Sequence, residues 1–285
     1  MKIGAVYPQT ELGGDPEAVR RIAAAVESLG YDYLLAFDHV LGAAPDREPK
    51  LTGPYTDQDP FHDPLMMFAY LAGMTRRLEF MVGVLILPQR QTVLVARQAA
   101  DLDLLSGGRL RMGVGIGWNP VEYQALGQDF STRGRRLNEQ VLLLRQLWAG
   151  PLTSFKGEFD HVDRAALNPR PTRKIPLWIG GTSEAAFLRA GRLGDGFVFV
   201  AGLERAREGW ARIQYHLAQA GRSSDDFGRE LLIGRNDSSA EKTIARIEKC
   251  REWGCTHVAV DTMGKGLGSI AAHIDYLAAV KHGIS

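Results

Sequence analysis

Asp38 and His39 stand side by side in Phe37-Asp-His-Val40, directly after a short apolar and aromatic run. Histidine gives or takes a proton near neutrality, and an adjoining carboxylate can orient a neighbour or hold an imidazole tautomer. The pair suits acid–base or polarising chemistry. Its bland alternative is a carboxylate capping a loop next to a surface histidine. A second group, Gly113, Gly115 and Gly117 followed by Trp118, Asn119 and Glu122, strips the side chains from one face of a strand and its exit. Glycine weakens a strand interior, so this spacing makes room for something that comes close to the backbone. A flat cofactor ring or a phosphate is the expected occupant, with Trp118 stacking on it or closing the core. Tight packing alone is the competing explanation. The third group is Gly180-Gly181-Thr182-Ser183, where a strand gives way to a helix. Freed backbone N–H groups and a hydroxyl at a helix N-terminus make an anion site, or equally an ordinary N-cap with Glu184 in the first turn. Gly83, in Gly83-Val-Leu-Ile-Leu-Pro88, marks a bulge or a close approach in another strand.

Other chemistries find little support. The G-x-G-x-G spacing differs from a dinucleotide fingerprint and a loop is expected after it, so a Rossmann site is rejected. His62, His161, His216, His257, His273 and His282 show no ligand spacing, and no metal is expected. Arg133, Arg135 and Arg136 read as the solvated start of a helix, with a ligand's polar tail as the alternative partner. A net charge of +1 gives no electrostatic footing for nucleic acid or an anionic membrane. The two cysteines, Cys250 and Cys255, form neither a disulfide framework nor a Cys-x-x-Cys site and are expected to be reduced. The N-terminus opens on a strand-like run without the pattern of a signal peptide, and no apolar run is long enough to span a bilayer. A soluble, cytoplasmic protein acting on a small molecule is expected.

Short apolar runs alternate with stretches of helical spacing along most of the 285 residues. Strands are predicted at Lys2–Tyr7, Tyr31–Phe37, Leu78–Leu87, Leu110–Ile116, Leu177–Gly180, Gly196–Val200, Glu230–Gly234 and His257–Asp261. Helices are predicted at Asp15–Leu29, Pro64–Thr75, Thr92–Leu105 and Arg135–Trp148, then at about 184–193, 204–220, 239–253 and 268–281. Eight such repeats fit an α/β fold of the (β/α)8 TIM-barrel class in one domain, with an open α/β sheet as the rival. Two stretches exceed plain connections. The first, 38–63, follows strand two at the end where barrel enzymes place catalytic groups. The second, 152–174, precedes strand five and contains a short hairpin near Phe155–Phe159. Loops of this length are usually lids or binding segments.

In order and spacing these motifs resemble the luciferase-like monooxygenase superfamily, within it the oxidoreductases that use the deazaflavin coenzyme F420. The resemblance runs through Phe37–Val40, Gly83–Pro88, Ala96–Arg109, Gly113–Asn119, Pro176–Ser183 and Gly191–Phe197. It implies a barrel with a tricyclic ring across the strand ends and a non-prolyl cis peptide at Gly83-Val84 behind the ring. It also implies Asp38 and His39 near the reactive ring edge, with Gly115, Gly117, Trp118 and Asn119 beside the ring. Gly180, Gly181, Thr182 and Ser183 would hold the cofactor phosphate. Trp118 stands where some relatives carry a proton-donating Glu, and Leu41-Gly42 where they carry a Trp.

The expected function is hydride transfer between F420 and an organic substrate. His39 would polarise or protonate the substrate, Asp38 would position His39 or the cofactor, and Trp118 would wall the pocket. An FMN-dependent monooxygenase and a non-catalytic cofactor-binding protein are the alternatives. A homodimer is expected by resemblance.

Overall fold

The computed structural model describes residues 1–235 and 237–284. In chain order the strands are β1 (Lys2–Val6), β2 (Tyr33–Ala36), β3 (Glu79–Ile86), β4 (Leu110–Gly115), β5 (Thr153–Lys156), β6 (His161–Ala165), β7 (Leu177–Gly180), β8 (Gly196–Phe199), β9 (Gly228–Ile233) and β10 (His257–Val260). All but β5 and β6 close into a parallel barrel in the order β1-β2-β3-β4-β7-β8-β9-β10, with β10 returning to β1. The expected TIM barrel is therefore present. Its outer ring is built from α1 (Pro16–Ser28), α2 (Pro64–Ala72), α3 (Thr92–Ser106), α4 (Pro120–Ala125), α5 (Arg133–Ala149), α6 (Glu184–Leu193), α7 (Leu203–Gln219), α8 (Ala240–Trp253) and α9 (Ile270–Gly283). Among the described residues no helix is long and apolar enough to cross a membrane.

Helix starts follow local chemistry. Asp15 and Asp63 accept hydrogen bonds from the first free N–H groups of α1 and α2, each with a proline at the start of the helix. The chain leaves α3 through Gly107 at φ +73°, a left-handed conformation that glycine adopts without penalty.

Two apolar layers result. The larger lies between barrel and helices; the smaller fills the barrel with Val6, Leu35, Met81, Val198 and Ala259. Below that plug, at the N-terminal end, Arg111 donates to Glu230 at 2.7 Å. Its guanidinium lies 4.6 Å from the Tyr33 ring centre and 4.3 Å from that of Trp178. A buried charge persists only with such a partner. The plug separates a cavity at this end, beside Arg111 and Trp178, from the C-terminal mouth, where Asp38 and His39 lie.

Several boundaries differ from the sequence expectation. Strand two is shorter at both ends: the Tyr31 amide donates to Val26 at the end of α1, and the Phe37 amide turns aside to the Gln9 side chain. The strand expected at Glu230–Gly234 is β9, which begins at Gly228, whose missing side chain accommodates Trp178. The chain after β4 is not a plain loop, because Asn119 caps α4 by accepting from the Val121 amide at 2.9 Å. In the second insertion the hairpin is longer than expected. Its turn, 157–160, is held by Glu139, which accepts the amides of Glu158, Phe159 and Asp160.

Candidate active site

The C-terminal mouth holds a cavity of about 470 Å³. Its walls include Phe37, Asp38 and His39 from the β2 exit, Gly83, Val84 and Ile86 from β3, Trp118 after β4, and Asp261 after β10. The structure thus brings together residues up to 224 positions apart (261 − 37).

The β3 wall is irregular. The Gly83–Val84 peptide is cis, as the resemblance implies, and the pairing of β3 with β4 shifts register between Val82 and Leu85. Val84 then fills the space the neighbouring glycines leave. A Cβ on Gly115 would lie 2.5 Å from Val84 Cγ2, and one on Gly180 would lie 2.7 Å from Val84 Cγ1. This revises the sequence expectation for Gly115, whose missing side chain was expected to make room for a ring. The room the two glycines leave belongs to the Val84 bulge, and only the bulge itself faces the cavity. Gly117, at φ +63°, backs onto Ile86 in the same way.

Asp38 is also revised. Only 2% of it is exposed, its Oδ2 accepts the Ile86 amide at 2.8 Å, and its Oδ1 accepts Arg90 Nη2 at 2.6 Å. Arg90 spans on to Asp63 at 3.0 Å. Both carboxylate oxygens are therefore engaged in tying the β2 exit to the end of β3 and the start of α2. That geometry suits positioning and leaves no oxygen for His39.

The partner of His39 is Glu122. The buried Glu122 Oε1 lies 3.1 Å from His39 Nδ1 and accepts the Val40 amide at 2.8 Å. A carboxylate at Nδ1 favours the tautomer with its proton there, which leaves Nε2 as the working nitrogen. The Asn119 amide donates to the Leu41 carbonyl at 3.3 Å, so the residues that start α4 also fix the loop carrying His39. Aromatic edges surround the imidazole: Tyr55 at 4.9 Å, Phe61 at 4.8 Å and Trp118 at 5.7 Å. Tyr55 and Phe61 belong to the 38–63 insertion, which covers the mouth. Gly53 in this insertion lies so close to the Trp118 ring that any side chain would collide with it.

A second basin of about 530 Å³ shares Val200 and Ala201 with this cavity and is lined by Gly181, Thr182, Phe187, Arg205 and Arg212 among others. Here Ser183 is the N-cap of α6, its Oγ accepting the Ala186 amide, and Glu184 binds Arg212 and His216. Ser183 thus performs the capping role that the sequence left open, while Gly181 and Thr182 line the basin. Arg133 stacks on Phe130 and Arg135 pairs with Glu158, and neither lines the mouth cavity.

Asp261 and Arg235 were not singled out by sequence. Alternation along β10 was the available signal: His257 and Ala259 face inward, so Asp261 does too. Burial pushes the Asp261 carboxyl up to about 6, against the Met263 amide and the Arg235 charge.

The family described as luciferase-like monooxygenase matches residues 2–248, and the chain belongs to that family. A pyrimidine monooxygenase of Allorhizobium ampelinum is 31% identical over 224 residues, 72% of this chain and 60% of that protein. An F420-dependent glucose-6-phosphate dehydrogenase of Amycolatopsis mediterranei is 30% identical over 206 residues, 71% and 58% of the two chains. The chain spans about 60% of the length of the curated relatives it matches. An F420-dependent secondary alcohol dehydrogenase, solved with an F420-acetone adduct, has a TM-score of 0.81 at 17% identity, covering 100% of this chain and 99% of that one. At that identity the likeness is one of fold.

Proposed function

We propose that the chain is an F420-dependent oxidoreductase that moves a hydride between the coenzyme and a small organic substrate. The observation that carries this reading is a pair of neighbouring cavities that share Val200 and Ala201, one at the Val84 bulge and His39 and the other at the exposed Gly181-Thr182 turn at the start of α6. A flat ring against the bulge and a phosphate at the helix N-terminus fit the two cavities. Gly83, Val84, Trp118 and Asn119 would bound the ring, directly or through the loop they hold. Gly181, Thr182 and Arg205 would hold the phosphate. When bound, the coenzyme supplies the hydride chemistry. His39, directed by Glu122, polarises the substrate or carries its proton. Trp118 and the 38–63 insertion exclude water.

Two relatives favour a second reading, reduced FMN and oxygen: the pyrimidine monooxygenase and an FMNH2-dependent dimethylsulfone monooxygenase of Pseudomonas fluorescens. Fluorescence titration of the protein with F420 and, separately, FMN tests the choice. Tighter binding of F420 supports the first reading and tighter FMN binding the second; neither binding ends both. Retained substrate reduction in His39→Ala would overturn the role given to His39. In the same reading the chain pairs through α2 and α3, whose outer faces expose Met66, Tyr70, Leu94 and Leu105.

A further inference from the structure

We propose that Asp261 is the second proton-handling residue of this site, facing the substrate oxygen of a small carbonyl compound from the β10 exit, two strands round the barrel from the β2 exit. The proposal rests on the hydride-transfer reading above and adds a residue to it.

Four observations meet at this side chain. Its inward direction follows from the β10 alternation, and the ladder continues past the strand, because the Asp261 amide donates to the Ile233 carbonyl at 2.7 Å. It lines the same cavity as His39. It is 4% exposed, and its Oδ1 accepts the Met263 amide at 2.8 Å. Among the described residues no hydrogen bond reaches its second oxygen, which distinguishes Asp261 from Asp38, both of whose oxygens are engaged. A carboxyl group so buried, with one oxygen that no described residue hydrogen-bonds, is held partly protonated near neutrality and has an O–H to offer.

Charged groups reach it from several elements, and His273 of α9 stands behind them, bonded to Thr262 and paired with Glu11. Arg235 approaches from the β9 exit, Lys265 from the loop after β10, and Glu11 from the loop after β1. Tyr55 from the 38–63 insertion lines the same cavity as Arg235 and Asp261, so the cover of the cavity comes down beside them. His39 packs edge-on against Tyr55, and Arg246 lines the same cavity while paired with Asp237 at 2.8 Å. Arg235 and Lys265 make the surroundings unfavourable for a cationic substrate. A neutral acid beside them suits a hydrogen-bond-accepting oxygen.

The step balances simply. A carbonyl carbon that receives a hydride from the reduced coenzyme passes its π electron pair to oxygen. The Asp261 O–H gives its proton to that oxygen, the alcohol forms, and Asp261 is left as carboxylate until solvent protonates it. In the reverse direction the carboxylate takes the alcohol proton. Reduction therefore requires protonated Asp261 and falls as pH rises through about 6, whereas oxidation rises.

The test compares wild type with Asp261→Asn in three measurements. F420 titration comes first: wild-type binding tests the underlying reading by itself, and Asp261→Asn should bind within about threefold of wild type. A carbon-13 carboxyl titration of the coenzyme-free protein should show a resonance with a midpoint near 6 that Asp261→Asn lacks. Finally, a panel of short ketones, aldehydes and enones is offered with reduced F420. Asp261→Asn should lower kcat by about 100-fold or more, leave KM nearly unchanged and abolish the limb near pH 6. Normal coenzyme binding combined with wild-type kcat in Asp261→Asn would overturn the proposal. A panel that wild type does not reduce, or a carboxyl midpoint near 4, would do the same.

Discussion

His39 acquires a direction only through Glu122, a residue 83 positions further along the chain. Replacing Glu122 with Ala leaves the Val40 amide and His39 Nδ1 without their acceptor. A loss of about 1–3 kcal/mol is expected for such buried donors, read as a lowered unfolding midpoint. Asp38→Ala should cost more, about 3–5 kcal/mol, because it strands the Arg90 charge against Asp63 alone. His39→Ala should instead leave stability and coenzyme affinity near wild type, with reduction of a test substrate down about 100- to 10,000-fold. The sequence displayed Asp38, His39, Trp118 and Glu122, but it paired the first two with each other. Adjacent side chains on an extended segment point apart, and the true partners lie 48, 52 and 83 residues away, where no local pattern reaches.

The β3–β4–β7 wall is the element on which the cavity depends. Gly115 and Gly180 are empty of side chain because Val84 occupies their space. Gly180→Ala should therefore overpack the wall and cost about 1–3 kcal/mol, while weakening coenzyme binding by displacing Val84. Unchanged unfolding and unchanged coenzyme titration in that variant would refute this account of the glycines. The spacing of Gly113, Gly115 and Gly117 announced a close approach, and the resemblance located the bulge at Gly83-Val84. That Val84 would be the approaching group was hidden, because inter-strand register decides it and register is absent from the pattern of a single strand. The strands themselves were largely legible, since most carry an apolar run ended by glycine, proline or a polar residue. The errors fell where a side chain such as that of Gln9 captured the terminal amide.

For the molecule as a whole, the barrel carries a cost at Asp261 that stability measurements can expose. Its carboxyl is raised from 3.8 to about 6, so between those values the native protein holds a proton that the unfolded chain has released. Stability from this group is complete below about pH 4 and is lost as pH rises through 6. Asp261→Asn should then be more stable than wild type at pH 7 by up to about 3 kcal/mol, with the difference vanishing toward pH 4. Denaturant unfolding of both proteins across that range checks the sign. On the proposed pairing through the exposed Met66 and Tyr70 face, Met66→Glu should move the sedimentation of the protein toward that of a monomer.

The claim on which these expectations converge is that a tricyclic coenzyme lies against the Val84 bulge with its phosphate at the start of α6. A crystal structure of the protein soaked with F420 measures this directly. The account predicts the ring packed on Gly83-Val84 beside His39 and the phosphate on Gly181-Thr182. A ring seated elsewhere, for instance in the cavity at the opposite end of the barrel beside Arg111 and Trp178, would contradict it.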